Sequence, residues 1–350
     1  MSTKKFQITP DSGSTWYTFP GDTADLSNTA TDIKDTVFGQ DLESGQTGTI
    51  AWSMSANGFY KGFAGYVAVI KKSGTSTLMT AEACSMISSK VYQITANAHQ
   101  VIDRTQTLHV FDNAVDQTAN VQSIDYLFGI ITFKSAYSVT GPVTVTANYL
   151  PMAQIAKGQS FSLTQTATAI DTSDFPTLHA NQGFKTASPG LRSVSLDLGG
   201  VYGVSNAWLT ALQSRSEVMV ELNPDGSELA VARGIFKPLS QAQAGKVGEL
   251  ETENVKMTLS VPDPANYPLI VSPFTWKFLA GTTLSTAIQT AINAWQSDQL
   301  GQFQYLYDGV NGRGGSGVIS DISLKGGLDV MNEFSIKITG SGGLTAVGTG

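Results

Sequence analysis

With 350 residues, 14% of them charged and 41% hydrophobic, the chain exceeds one domain of ordinary size. Its net charge of −7 is spread evenly, 9 basic and 12 acidic side chains in residues 1–150 and 12 and 16 in the rest, so no basic patch holds nucleic acid by phosphate neutralisation. A lone cysteine, Cys84, excludes an intrachain disulfide and any Cys-x-x-Cys motif.

The first 28 residues lack the apolar run of a signal peptide, so export by that route is not expected. The most apolar short stretch, 65–70, is far below the roughly 18 residues that span a bilayer, so no membrane partner is expected either. Residues 48–60 alternate as a strand. Apolar Phe63, Val67 and Ile70 then fall at helical spacing and predict a short helix over 61–71. Further strands are read at 91–96, 107–111, 128–133 and 143–149, an insertion of β-structure, and another at 160–170.

Residues 190–202 alternate cleanly, with Val194, Leu196 and Leu198 on one face and Ser193, Ser195 and Asp197 on the other. Ser205 is placed to cap a helix carrying Trp208, Ala211 and Leu212. The segments 218–222 and 229–236 flank Asn223-Pro224-Asp225-Gly226 and predict a hairpin; 255–261 reads as another strand. Near the end, Ser285 caps a helix with Ile288, Ile292 and Trp295 on one face. A strand near 304–307, a glycine-rich turn, strands 318–324 and 334–340 and a soft glycine-rich tail follow.

The strongest signal is internal. Setting residue i beside i+142 matches Gly48 with Gly190, Ser53 with Ser195, Met54 with Leu196, Gly58 with Gly200 and Tyr60 with Tyr202. After a shift of three residues, TATDIKD (29–35) lies beside TAIDTSD (168–174). Two units result, 1–155 with the inserted strands and 156–350, divided in the low-complexity stretch near 151–160.

Reactive constellations are sparse. Residues 312–317 match Gly-x-Gly-x-x-Gly, but a strand follows where a nucleotide site needs a helix N-terminus, so a hairpin turn is the expectation. His99, His109 and His179 lack ligand spacing, no Gly-x-Ser-x-Gly elbow occurs, and Cys84 reads as a buried structural thiol. No enzyme, cofactor or metal is therefore expected. Trp52, Trp208, Trp276 and Trp295 read as core or interface anchors, with core the favoured reading. The loops 32–47 and 171–189 occupy equivalent places in the repeat. Their Asp32, Asp35, Asp41, Glu43, Asp171, Asp174 and Lys185 are the candidate assembly residues, as loops deformable until a neighbour orders them.

The run 189–212, followed by a hairpin containing Asn-Pro-Asp-Gly, resembles the tail tube proteins of long-tailed bacteriophages. Residues 317–344 resemble the way those chains end, and 38–68 looks like a second copy of the opening. The resemblance implies a mainly β fold of two tandem tube-type sandwich units, each with a short flanking helix, whose inner sheets join into a barrel around a channel. It implies a virion protein assembled in the host cytoplasm and partnered by itself and by other tail proteins. DNA would pass through the lumen without specific binding. Most such subunits carry one unit and form hexameric rings, so a two-unit chain implies a trimer with pseudo-sixfold symmetry. The alternative is another virion or surface β-protein, such as a tail-terminator, a fibre or a carbohydrate-binding module; the last would show aromatics in a loop cluster, whereas here they fall on predicted strands and helices.

Overall fold

The computed structural model describes residues 4–11, 13–34, 45–60, 68–224, 230–244, 252–260, 273–279, 281–327 and 331–348. The fold is mainly β. The chain opens with short strands β1 (Lys5–Thr9) and β2 (Tyr17–Thr18) and a long hairpin, β3 (Gly21–Lys34) and β4 (Gly45–Tyr60). After β5 (Ala68–Ser73) come β6 (Thr77–Ser88), β7 (Val91–Ile94), β8 (His109–Asp112), β9 (Val115–Asp116), β10 (Val121–Asp125), β11 (Ile130–Phe133) and β12 (Val143–Tyr149). Strand β13 (Met152–Gly158) leads to a second long hairpin, β14 (Ser160–Asp171) and β15 (Ala187–Gly203), with helix α1 (Phe175–Ala180) in its turn. Then follow α2 (Asn206–Ser214), β16 (Val218–Leu222), β17 (Ala230–Ala244), β18 (Thr252–Leu259), β19 (Phe274–Phe278), α3 (Thr286–Gln296), β20 (Gly301–Leu306), β21 (Gly312–Gly327) and β22 (Asn332–Val347).

Two compact units emerge, and both are discontinuous in sequence. One holds 1–62, 162–194 and 282–350, the other 63–161 and 195–281, so a single cut near 155 does not describe them.

In the first unit the strand order is β3–β4–β22–β21–β20–β1–β2, with β14 also paired to β21. The inward face of β4 buries Trp52, Met54 and Ala56, and β21 and β22 bury Ile319, Ile322, Ile336 and Ile338. Helix α3 begins where Ser285 accepts the Ile288 amide and buries Ile288, Ile292 and Trp295, as the apolar spacing predicts. Phe6 stacks between Phe19 and Phe303 at centroid distances of 5.0 and 6.0 Å. Each of these large apolar side chains contributes about 1.5–3 kcal/mol by leaving water.

In the second unit, β13–β5–β16–β17–β18–β15 closes on itself, because Ala156 and Lys157 of β13 pair with Gly203 and Tyr202 of β15. All six junctions are antiparallel. Leu196, Leu198 and Val201 of β15 are buried with Val218, Val220, Leu222 and Phe236. Strands β6 to β12 form a separate seven-stranded sheet system with its own core of Ile94, Val110, Ile131, Phe133 and Val145. The four inserted strands expected from sequence correspond to β7, β8, β11 and β12, while β6, β9 and β10 have no counterpart in that expectation.

Connectivity repeats beyond what the sequence alignment reaches. The path β3–β4–β22–β21–β20–β1 has the same design as β14–β15–β18–β17–β16–β5. In each, a helix (α3 or α2) precedes a short strand (β20 or β16). That strand pairs with the start of a long one (β21 or β17), whose partner (β22 or β18) pairs in turn with the second strand of the long hairpin.

Four expectations are corrected. Residues 68–71 are strand β5, and 61–67 lie outside the described residues; with Ala68 and Ile70 buried and Val69 and Lys71 less so, a short apolar run fitted both periods. The helix that matches α2 in the first unit is instead α3, on the far side of the second unit in sequence. The run 312–317 is no turn but the start of β21, paired with β20. The glycine-rich tail is strand too, with Thr345, Ala346 and Val347 registered against Gly314, Arg313 and Gly312. Its glycines make room for Trp52: a Cβ on Gly340 would lie 2.3 Å from the indole ring. Finally, Ser205 precedes α2 without donating or accepting a side-chain cap bond.

Candidate assembly surface

The expected assembly loops close the two long hairpins, and the described one is ordered by its own chain. Asp171, at the end of β14, accepts the Ser173 amide at 2.9 Å and the Lys185 ammonium at 3.0 Å. The Ser173 contacts, helped by Lys185, hold its carboxyl down at about 2. Asp174 is the N-cap of α1. It accepts the Thr177 amide at 2.7 Å while its own amide donates to Thr177 Oγ1 at 2.8 Å, a reciprocal box followed by Pro176 in the first turn.

The returning chain is clamped on both sides. The Ile50 amide donates to Gly183 O and the Lys185 amide to Ile50 O, each at 2.8 Å; the Gly342 amide donates to Lys185 O at 2.8 Å. Ser341 Oγ accepts from the Ala187 amide and donates to Ala187 O. The Trp52 indole N–H donates to Gly342 O at 2.8 Å, tying the same corner to β4. Segment 171–189 is therefore not a solvated connector awaiting a partner, and that premise is corrected. Lys185 and Asp171 meet, and Asp174 acts within its own helix. Asp32 is exposed on β3, registered with Thr47, while Asp35, Asp41 and Glu43 lie outside the described residues.

The edges of the hairpins carry the signal that sequence reading missed. Strand β3 pairs with β4 alone, so its other edge has no strand partner among the described residues. Strand β17 pairs with β16 only up to Phe236. Beyond that, residues 237–244 have β18 on one edge and no described strand on the other. Unpaired edges of this length are ready templates for another strand. Runs of Asp, Ser, Thr and Asn in β3, with small Ala24 as its inward residue, were the available clue.

The outer faces of the long sheets are hydroxyl-rich, and several of their charges lie beside opposite ones. Ser53, Asn57, Ser335 and Thr339 face outward with Lys337 registered against Asp321, and Lys325 Nζ is 3.8 Å from Glu333. In the second unit Asp197 is registered against Lys256.

Several charged groups elsewhere have structural partners. In the second unit Glu221 binds Arg233 Nε at 2.8 Å and Lys71 Nζ at 3.1 Å. Burial pushes its carboxyl up, but the two cations more than offset this and hold it below the usual range. Arg233 also lies 4.5 Å over the Phe128 ring and donates to Leu127 O, fastening the inserted strands to β17. His99 and His109 each contact a carboxylate, Glu82 and Asp116, at 2.9 Å. Cys84 is half-buried, and burial, with Glu82 nearby, pushes its thiol up to about 12, so it stays protonated. Among the described residues no three His, Cys, Asp or Glu side chains gather closely enough to hold a metal ion. Among the described residues no helix is long and apolar enough to cross a membrane.

No protein-family model matches the chain, and no curated protein matches it. Among solved structures, a chain from the tail of an empty GTA particle, refined with helical C6 symmetry, is similar with a TM-score of 0.26 and 14% identity, over 32% of this chain and 84% of that one.

Proposed function

We propose that the chain is a structural, non-enzymatic subunit of a bacteriophage tail tube, carrying the tube unit twice. Three chains close a ring with pseudo-sixfold symmetry, and stacked rings form the conduit for DNA ejection. The observation that carries the reading is the repeated strand order, β3–β4–β22–β21–β20–β1 and β14–β15–β18–β17–β16–β5. Two copies of one design within a chain suit a polymer that needs an even set of equivalent positions around an axis. The hydroxyl-rich outer faces, with Lys337 beside Asp321, Lys325 beside Glu333 and Lys256 beside Asp197, suit a wall along which phosphates slide without being held. Other tail proteins cap the polymer, and the assembled site is the virion tail, built in the host cytoplasm.

Negative-stain imaging of the purified protein, combined with mass measurement of rings, tests this. Tubes or rings of three chains are expected. Rings of six whole chains would remove the pseudo-sixfold arrangement, and a protein that stays monomeric at all concentrations would remove the tube itself.

A further inference from the structure

The repeat is complete in its order of strands but not in its pairing. Strand β14 has a neighbour on each edge, β15 and β21. On β21 it lies past the stretch occupied by β20, which ends at Gly317, and on the edge opposite β22. The hydroxyls of Thr164 and Ser323 mark the contact at 3.4 Å. The counterpart of β14 is β3, and the counterpart of β21 is β17. Among the described residues β3 has no strand on one edge, and β17 has none past Phe236 on the side of β16. These are the two edges that the β14–β21 joint uses. The chain thus contains one finished joint and both halves of a second.

We infer that β3 of one copy of this chain pairs with residues 237–244 of β17 in the next copy, in the manner of β14 on β21. The inference rests on the tube reading and supplies the joint from which its ring is made. Three observations favour a second copy as the occupant. The joint has a template within the chain, down to which half of the long strand is used. The inward face of β3 carries Ala24 and Leu26, half-buried here, where β14 carries the fully buried Leu163 and Gln165. The charges also suit each other: β3 bears Asp22, Asp25 and Asp32 with Lys34 at its end, and residues 237–244 bear Lys237, 3.7 Å from Glu217, and no acid. A contact between two different edges is head-to-tail, so it propagates from copy to copy and closes into a ring when the rotation per copy is a third of a turn, as the trimer requires. Closure consumes every free edge of both types, which is how a chain with a long unpaired strand avoids indiscriminate aggregation.

The test uses the full chain in two singly substituted forms, Asp25→Cys and Ala242→Cys, which place thiols near where Thr164 and Ser323 meet in the template. Cys84 is retained, being protonated and half-buried. The two forms are assembled separately and as an equal mixture, imaged, and oxidised. Covalent dimers in the mixture and not in either form alone are expected. Rings or tubes that form normally but give no dimers with this pair, or with Ser27→Cys and Gln241→Cys beside it, would overturn the joint and leave the tube reading standing. Absence of any assembly by the unsubstituted chain would overturn both. A second variant, Leu26→Lys, places a charge on the inward face of the free strand. It is expected to keep the monomer's melting temperature and to raise the concentration at which assembly begins at least tenfold; assembly at the unsubstituted concentration would count against the joint whatever the thiols do.

Discussion

Strands β3 and β14 are the same element of a repeated design, and they live in different surroundings. Each is the first strand of a long hairpin, and TATDIKD in one answers TAIDTSD in the other. Yet β14 buries Phe161, Leu163, Gln165 and Ala167, while nearly all described side chains of β3 are exposed. The difference lies in the second neighbour: β14 has β21, and β3 has none described. Burial along a strand is thus decided by what lies across its far edge, and the composition has followed, with Asp22 and Ala24 where β14 has Phe161 and Leu163.

The sharpest way to break that comparison is to put a charge at matched inward positions. Leu163→Asp would strand a carboxylate in a fully buried site and should cost about 3–5 kcal/mol. Ala24→Asp, at the matched half-buried position of β3, should cost only about 1 kcal/mol in the monomer. Urea titration of the monomeric protein reads both, and equal losses would mean that β3 is buried after all.

The turn between β14 and β15 gives the next test. Removing residues 175–181 would dismantle α1 and loosen the clamp on Ile50 and Gly342, at about 2 kcal/mol if two backbone bonds are lost. A melting temperature unchanged by this deletion would mean that the clamp on Ile50 and Gly342 is not what orders 171–189.

The aligned glycines differ more subtly. A Cβ on Gly58 would lie 2.5 Å from Gly21 Cα and 2.6 Å from Pro20 O, so Gly58→Ala forces the β3–β4 backbones apart, at about 1–3 kcal/mol. Gly200 sits at φ +61° at a bulge in β15, so Gly200→Ala should cost about 1 kcal/mol through strain. A larger loss at Gly200 would reverse the order of the two causes.

The smallest effect is electrostatic. Asp171 has its carboxyl lowered from 3.8 to about 2, so its favourable contribution is present above pH 4 and fades as pH falls through 2. A carbon-detected titration of the Asp171 carboxyl should place the midpoint near 2, moving upward in Lys185→Ala. A midpoint that ignores Lys185 would show that the ion pair is not formed in solution.

Much of the fold was legible because alternation is a local signal. VTVTANY reads as β12, Ser285 does cap α3, and Trp52, Trp208, Trp276 and Trp295 are all buried. Failures came where local rules allow two outcomes. The apolar spacing of Phe63, Val67 and Ile70 suited a helix, but Ala68 and Ile70 belong to a strand held between β13 and β16, partners that no short window contains. Glycines at 312–317 read as a turn because the indole that needs their empty space, Trp52, is remote in sequence. In the candidate site, Asp174 and Thr177 at N-cap and N3 were a readable capping signature that went unused. The pairing of β14 with β21 was not readable at all, since edge choice depends on tertiary neighbours.

One local contact gives the inserted strands a different meaning. Ser73 and Met152 are registered partners at the ends of β5 and β13, and the Gly74 amide donates to Pro151 O at 2.7 Å. The whole seven-stranded insertion thus leaves and rejoins its host at one point, where a tight turn could serve instead. Ring closure of the long excursion is already provided by the host hairpin, so a replacement needs adjacent termini at this turn and an apolar cover for Met219 and Ile235, which the insertion now packs through Val101, Leu127 and Phe128. The position is a natural graft site for engineering a displayed cargo on every copy.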